Sequence, residues 1–132
     1  MPDVVNPPEL GKPRGFAHGL LAPAAARLLF VAGQTATDSE GRITTTAFAG
    51  QFETALQRVL TVVRAAGGAA DHIAHMTVYV TSMQQYRDSR PALRTIWRRR
   101  IGSYYPSMTL VEVTALADAG AAVEIDAMAV VP

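Results

Sequence analysis

Two stretches of this chain are apolar on both faces of any strand they could form. Leu28 to Ala32 and Ala127 to Val131 contain no polar residue. A strand sends successive side chains to opposite faces, so such runs need apolar cover on both sides. The rest of the chain offers two main amphipathic helices, and two helices cover one face of one sheet. The other face then needs an apolar partner, and a copy of the chain is the nearest source. The pattern therefore predicts a homo-oligomer with sheet faces packed inward. A monomer whose N-terminal arm lies across the open face is the alternative.

Composition limits the choices further. The 132 residues are 49% hydrophobic and 17% charged, as expected of one globular domain over residues 1–132. Cysteine is absent, which removes disulfides, thiolate nucleophiles and Cys-ligated zinc. Twelve basic and 11 acidic residues give a net charge of +1, too balanced for a chain that lives on nucleic acid or anionic lipid. No apolar run approaches the ~18 residues of a membrane span. Residues 1–12 lack the apolar core of a secretion signal. A cytoplasmic location is the default expectation.

Pro2, Pro7, Pro8 and Pro13 mark residues 1–13 as an extended arm. Strands are predicted over 14–22 and 27–34. Phe48, Phe52, Ala55, Leu56, Val59, Leu60, Val63 and Ala66 recur at helical spacing and predict a helix over 47–66, stopped at Gly67–Gly68. Residues 72–81 alternate as a strand, with Ala74, Met76, Val78 and Val80 on one face and Ile73, His75, Thr77 and Tyr79 on the other. Pro91 suits the first turn of a second helix, from about Ser89 to Ile101, with Leu93, Ile96, Trp97 and Ile101 inward. Residues 108–116 and 122–131 are predicted to close as a hairpin. The order is β-β-α-β-α-β-β, an α+β chain.

The usual catalytic signatures are missing: no nucleophile elbow, phosphate loop or HExxH. His72 and His75, three apart on a strand, point to opposite faces and cannot chelate one metal. No metal and no cofactor is expected. His18 fits a structural role better than a pocket role. Glu112, Glu124 and Asp126 interrupt apolar strands, and strand register decides whether they meet. Arg98, Arg99 and Arg100 fan around a helix end, where positive charge suits the dipole, and no aromatic platform joins them.

Taken in order, GFAHG (15–19), LFVAGQTATDSEG (29–41), FAGQFETALQRVL (48–60), AAGG (65–68), MTVYVTSMQQY (76–86), YPSMTLVEV (105–113) and VEIDAMAVV (123–131) span nearly the whole chain. They resemble the Rid family, also called YjgF or RidA and endoribonuclease L-PSP. The resemblance implies a chorismate-mutase-like α+β fold and a homotrimer with sheets inside and helices outside. It also implies hydrolysis of small imines and enamines to ketoacids and ammonia, in clefts between subunits.

The resemblance assigns roles residue by residue. Glu124 matches the family's water-handling glutamate, and Gly33 and Gln34 match the turn that lines the cleft. Phe16 stands where the branch usually has tyrosine, and Tyr105 precedes Pro106. Met108 replaces the arginine that grips a substrate carboxylate in the deaminase branch. Each charged hydrogen bond contributes ~1.5–3 kcal/mol, so the exchange disfavours a carboxylate substrate and suits a more apolar one. Arg90, near where the family tends to place an amide side chain bordering the cleft, and Arg14, beside GFAHG, are the candidate replacements. The resemblance thus implies an imine or enamine hydrolase acting on a small molecule. A non-catalytic trimeric ligand-binding protein is the alternative, and RNA cleavage the third.

Overall fold

Residues 2–132 are described in a computed structural model of the chain. The main sheet has four strands in the order β3-β6-β4-β5: β3 (Arg27–Gln34), β6 (Val123–Val131), β4 (Ile73–Val80) and β5 (Ser107–Glu112). β6 runs antiparallel to both neighbours, and β5 runs parallel to β4. Helices α1 (Phe48–Ala65) and α3 (Arg90–Arg100) cover one face, and a short α2 (Met83–Asp88) precedes α3. No helix among the described residues is long and apolar enough to cross a membrane.

Helix α1 buries Phe48, Phe52, Ala55, Leu56, Val59, Leu60 and Val63 against the sheet, as their spacing requires. Each large side chain so buried contributes about 1.5–3 kcal/mol. Gly67 ends the helix at φ 86°, and the Gly68 N–H bonds the Val63 carbonyl at 2.9 Å. Helix α3 buries Leu93, Ile96 and Trp97. Two polar side chains are buried, Thr35 and Gln51. The Gln51 amide donates to the carbonyls of Thr45 and Gly120 and accepts from the Ala122 N–H, which ties the loop before α1 to the loop before β6.

The structure corrects the sequence reading at four places. Residues 108–116 and 122–131 form no hairpin, because β6 inserts between β3 and β4 and β5 lies at the sheet edge. β6 and β4, both largely apolar, take the two interior positions, whereas β5, with Ser107, Thr109 and Glu112, tolerates an edge. In the arm, β1 (Asp3–Val5) pairs with β2 (Gly19–Leu21), a piece of the predicted 14–22 strand. The β1–β2 pair leaves the sheet's open face bare: Leu28 is 58% and Phe30 69% exposed. This removes the alternative of a face covered by its own arm. Finally, Ile73 is buried with Met76, Val78 and Val80, because an irregularity between Ile73 and His75 shifts the alternation.

Candidate functional site

The open face is polar at its centre and apolar toward one end. Cross-strand register sets its rows. Phe30, Met128, His75 and Ser107 share one row, Asp126, Thr77 and Thr109 the next, and Glu124, Tyr79 and Val111 the third. Tyr79 donates its hydroxyl to Asp126 Oδ2 at 3.1 Å. That bond, then burial, then the charge of Asp126 hold the phenol above its usual pKa. Ser107 donates to the Ala74 carbonyl at 2.7 Å, so its oxygen accepts from His75 Nδ1 at 2.8 Å. The proton of a neutral His75 thus sits on Nδ1.

Between Val31 and Gln34 the β3 register slips, so that Ala32 and Gly33 together face the single residue Asp126. This is a bulge, and it re-aims the strand locally. Gly33 lies directly beneath the Glu124 carboxylate. A Cβ at position 33 would stand 2.3 Å from Glu124 Oε2 and 2.8 Å from its Cδ. Only glycine lets the carboxylate rest on the backbone here. Gln34 points elsewhere. Its amide nitrogen donates to the Ala32 carbonyl at 3.1 Å, and its oxygen accepts from Arg58 Nε at 3.0 Å. Its side chain is therefore turned to α1 and its backbone to the bulge.

Phe16, Tyr105 and Met108 gather at the opposite edge. The Ala17 N–H donates to the Pro106 carbonyl at 2.8 Å, which brings Phe16 beside the start of β5. Tyr105 stacks on Trp97 with centroids 5.6 Å apart, and it remains 39% exposed. Met108 pairs with Met76 across the β4–β5 ladder and packs, half-buried, against the core. Arg90 is exposed, with its guanidinium 5.7 Å from the centre of the Tyr86 ring. Arg14 is exposed.

Within one protomer, Glu124 and Gly33 thus lie apart from Met108. Met108 lies in the row of Ala127, three residues from Glu124 along the strand and two strands away. Strand spacings make this roughly 14 Å, and the two side chains leave opposite faces of the sheet.

Other candidates have structural partners. His18 Nε2 lies 3.1 Å from the Gly11 carbonyl, and its backbone N–H donates to Asn6, so it pins the arm. His72 Nδ1 accepts from the Ala69 N–H at 2.8 Å. Glu112 accepts from the Met83 N–H at the start of α2, and β4 separates it from Glu124 and Asp126. Arg99 and Arg100 both pair with Glu53, whose pKa they lower, first through the Arg99 hydrogen bond. Among the described residues no His, Cys, Asp or Glu cluster is placed to hold a metal ion. Sequence reasoning passed over Arg58, since a polar residue on a helix face gives no sign of what it reaches.

An α+β sheet with helices on one side and a bare second face defines the fold class of the chain. The chain belongs to the endoribonuclease L-PSP family, whose sequence model matches residues 16–131. Among solved structures it is similar to YyfB from Yersinia pestis, described as a Rid-family protein of unknown function, at 25% identity and TM-score 0.82, over 98% of both chains. It also shares its fold with E. coli TdcF, solved with bound serine (24% identity, TM-score 0.70, 92% of both chains). The E. coli YjgF gene product has the same fold (22% identity, TM-score 0.69, 95% of this chain and 92% of the other). No curated protein sequence matches the chain.

Proposed function

We propose that the chain is a Rid-type hydrolase of small imines or enamines, and that it works as a homotrimer with one cleft at each subunit boundary. The observation that carries this reading is the Glu124 carboxylate resting on Gly33 at the edge of an otherwise uncovered sheet. Glu124 takes a proton from water as the oxygen adds to the imine carbon and returns it to the nitrogen; the hydroxyl of the resulting carbinolamine then gives up its proton to the nitrogen as the carbon–nitrogen bond breaks, ammonia leaves, and a carbonyl remains. Backbone groups of Gly33 and Gln34 orient the carbon–nitrogen bond. Phe16, Tyr105 and Met108 supply the apolar wall, with Arg90 at its border.

Separation of the two proposed half-sites, Glu124 with Gly33 and Met108 with Phe16 and Tyr105, supports the oligomer. A small metabolite cannot touch groups roughly 14 Å apart on opposite faces. A neighbouring copy can bring its β5 edge to this β3 edge. Leu28, Phe30 and Met128 offer exposed apolar surface for that contact. Serine bound to TdcF supports a small polar metabolite as the class of ligand. Met108, which forms no ionic hydrogen bond, supports a substrate without a carboxylate.

The same methionine favours a second reading, in which the clefts bind a ligand without turnover. RNA cleavage, suggested by the family's description, has less behind it: the net charge is +1, and two of the three arginines at 98–100 are spent on Glu53. The test is to generate 2-iminopropanoate and a carboxylate-free imine in situ and follow ammonia release. Acceleration of the carboxylate-free imine, lost in Glu124→Ala, is the expected result. Hydrolysis of both at the solvent rate leaves the binding reading. Activity unchanged in Glu124→Ala overturns the role given to that residue.

A further inference from the structure

A bulge leaves backbone groups out of the strand ladder, and something must hold them in place. At Ala32–Gly33 the Gln34 side chain does so, by donating its amide to the Ala32 carbonyl at 3.1 Å. An amide on a flexible side chain can turn over. Here it is held in one orientation by Arg58, whose Nε donates to Gln34 Oε1 at 3.0 Å. A second guanidinium nitrogen of Arg58 donates to the Thr37 carbonyl at 3.2 Å, past the end of β3. Arg58 is half-buried on α1 and has no carboxylate partner among the described residues. Its donors go to two neutral oxygens that bracket the residues after the bulge. A guanidinium used this way gains little charge pairing and a fixed geometry, because its planar fork presents several donors at set angles.

We infer that Arg58 is a positioning residue for the reactive carboxylate. It clamps the segment from Ala32 to Thr37, the clamp fixes the bulge, and the bulge sets the Gly33 backbone on which Glu124 rests. The chain of contacts runs from α1 through Gln34 to Gly33 and across to β6, without Arg58 touching the cleft. Rigid α1, anchored by the buried side chains on either side of Arg58 in sequence (Leu56 and Val59), is the reference against which the bulge is held. The last link, from Gly33 to catalysis, rests on the reading of Glu124 as the group that handles water.

The test uses the full chain with Arg58→Met, Arg58→Lys and Gln34→Leu. Three readouts are taken: amide hydrogen exchange, the Glu124 side-chain carboxyl-carbon resonance, and imine turnover. In Arg58→Met and Gln34→Leu the amides of residues 33–37 are expected to exchange about tenfold faster, since one or two hydrogen bonds are lost. Exchange in β4 stays as in the unmodified protein. The Glu124 resonance moves in both variants, and kcat falls about tenfold with KM unchanged. Arg58→Lys, which keeps one donor, restores part of each effect. Unchanged exchange at 33–37 and an unmoved Glu124 resonance in Arg58→Met overturn the inference. So does faster exchange with full turnover. If the unmodified protein hydrolyses no imine, the proposed function fails, while exchange and the Glu124 resonance still decide whether Arg58 sets the carboxylate's seat.

Discussion

Replacing Gly33 by alanine separates stability from activity, and the structure gives the size of each effect. The new methyl carbon would stand 2.3 Å from Glu124 Oε2, 2.8 Å from Cδ and 3.1 Å from Cγ. Ordinary contact needs about 3.5 Å, so the carboxylate must retreat by about 1 Å. It can do so at small cost, because the clash is with the end of a flexible side chain and not with backbone. Gly33 also lies outside the left-handed region, where alanine would be strained. Alanine at such a position reduces unfolded-state freedom and stabilises by about 0.4–1 kcal/mol. A displacement of 1 Å in a reacting group costs about a hundredfold in rate. The expected Gly33→Ala protein therefore melts at or slightly above the unmodified temperature and hydrolyses imine about a hundredfold more slowly.

Thermal unfolding and imine turnover on the same preparation measure both effects. Glu124→Gln supplies the control, since it removes the base without moving it. The double variant should be no slower than the slower single, because both changes disable one group. Turnover within twofold of the unmodified protein in Gly33→Ala refutes the reasoning. A fall in Tm beyond about 4 °C does so too, since it corresponds to about 1 kcal/mol of lost stability and places the clash in the framework.

Leu28→Asp with Phe30→Asp puts charge at two exposed apolar positions of the open face; light scattering is expected to show loss of self-association. Gln51→Leu leaves the carbonyls of Thr45 and Gly120 and the Ala122 N–H without their partner, and urea unfolding should show a loss of about 3 kcal/mol or more. Met108→Arg should raise hydrolysis of 2-iminopropanoate, with the gain in KM, because it supplies a carboxylate-binding cation. Burial, helped by Asp71, pushes the Tyr104 phenol from 10.0 up to about 12. A group raised in the folded state contributes fully below pH 10 and loses that contribution as pH climbs toward 12; alkaline unfolding should therefore show a fall in stability over that window, absent in Tyr104→Phe.

The parts of the fold legible in the sequence are those with strong periodicity. Seven of the eight apolar residues at helical spacing are buried, the eighth, Ala66, is half-buried just past the end of α1, and Gly67 ends the helix as its position suggests. The run from Ala127 to Val131 marked a strand, which β6 contains, but not which neighbours it has. A hairpin between β5 and β6 was the local solution, and the central insertion of β6 is a non-local one that periodicity does not encode. Bulges are invisible for the same reason. The slip before His75 moved Ile73 into the core, and the slip at Ala32–Gly33 turned Gln34 toward α1. Each is one residue of register, and one residue reverses a face.

That sensitivity explains why the candidate site could be named but not assembled from the sequence. Glu124 and Asp126 share a face in any register, since they are two apart on one strand. Whether Glu124 meets Gly33 depends on the bulge. Whether it meets Met108 depends on strand order, which puts β4 between β5 and β6. With the order known, the half-sites fall at opposite sheet edges, and within one copy no rotamer change closes roughly 14 Å. The apolar runs that first called for a second copy and the separation that keeps a single protomer's half-sites apart are independent facts, one about solvent and one about distance. The proposed homotrimer would meet both, with the bare face of one subunit packed on the next and the β5 edge of one beside the β3 edge of the other. A protomer isolated by the Leu28 and Phe30 substitutions should therefore keep its fold and lose its imine turnover together with its self-association.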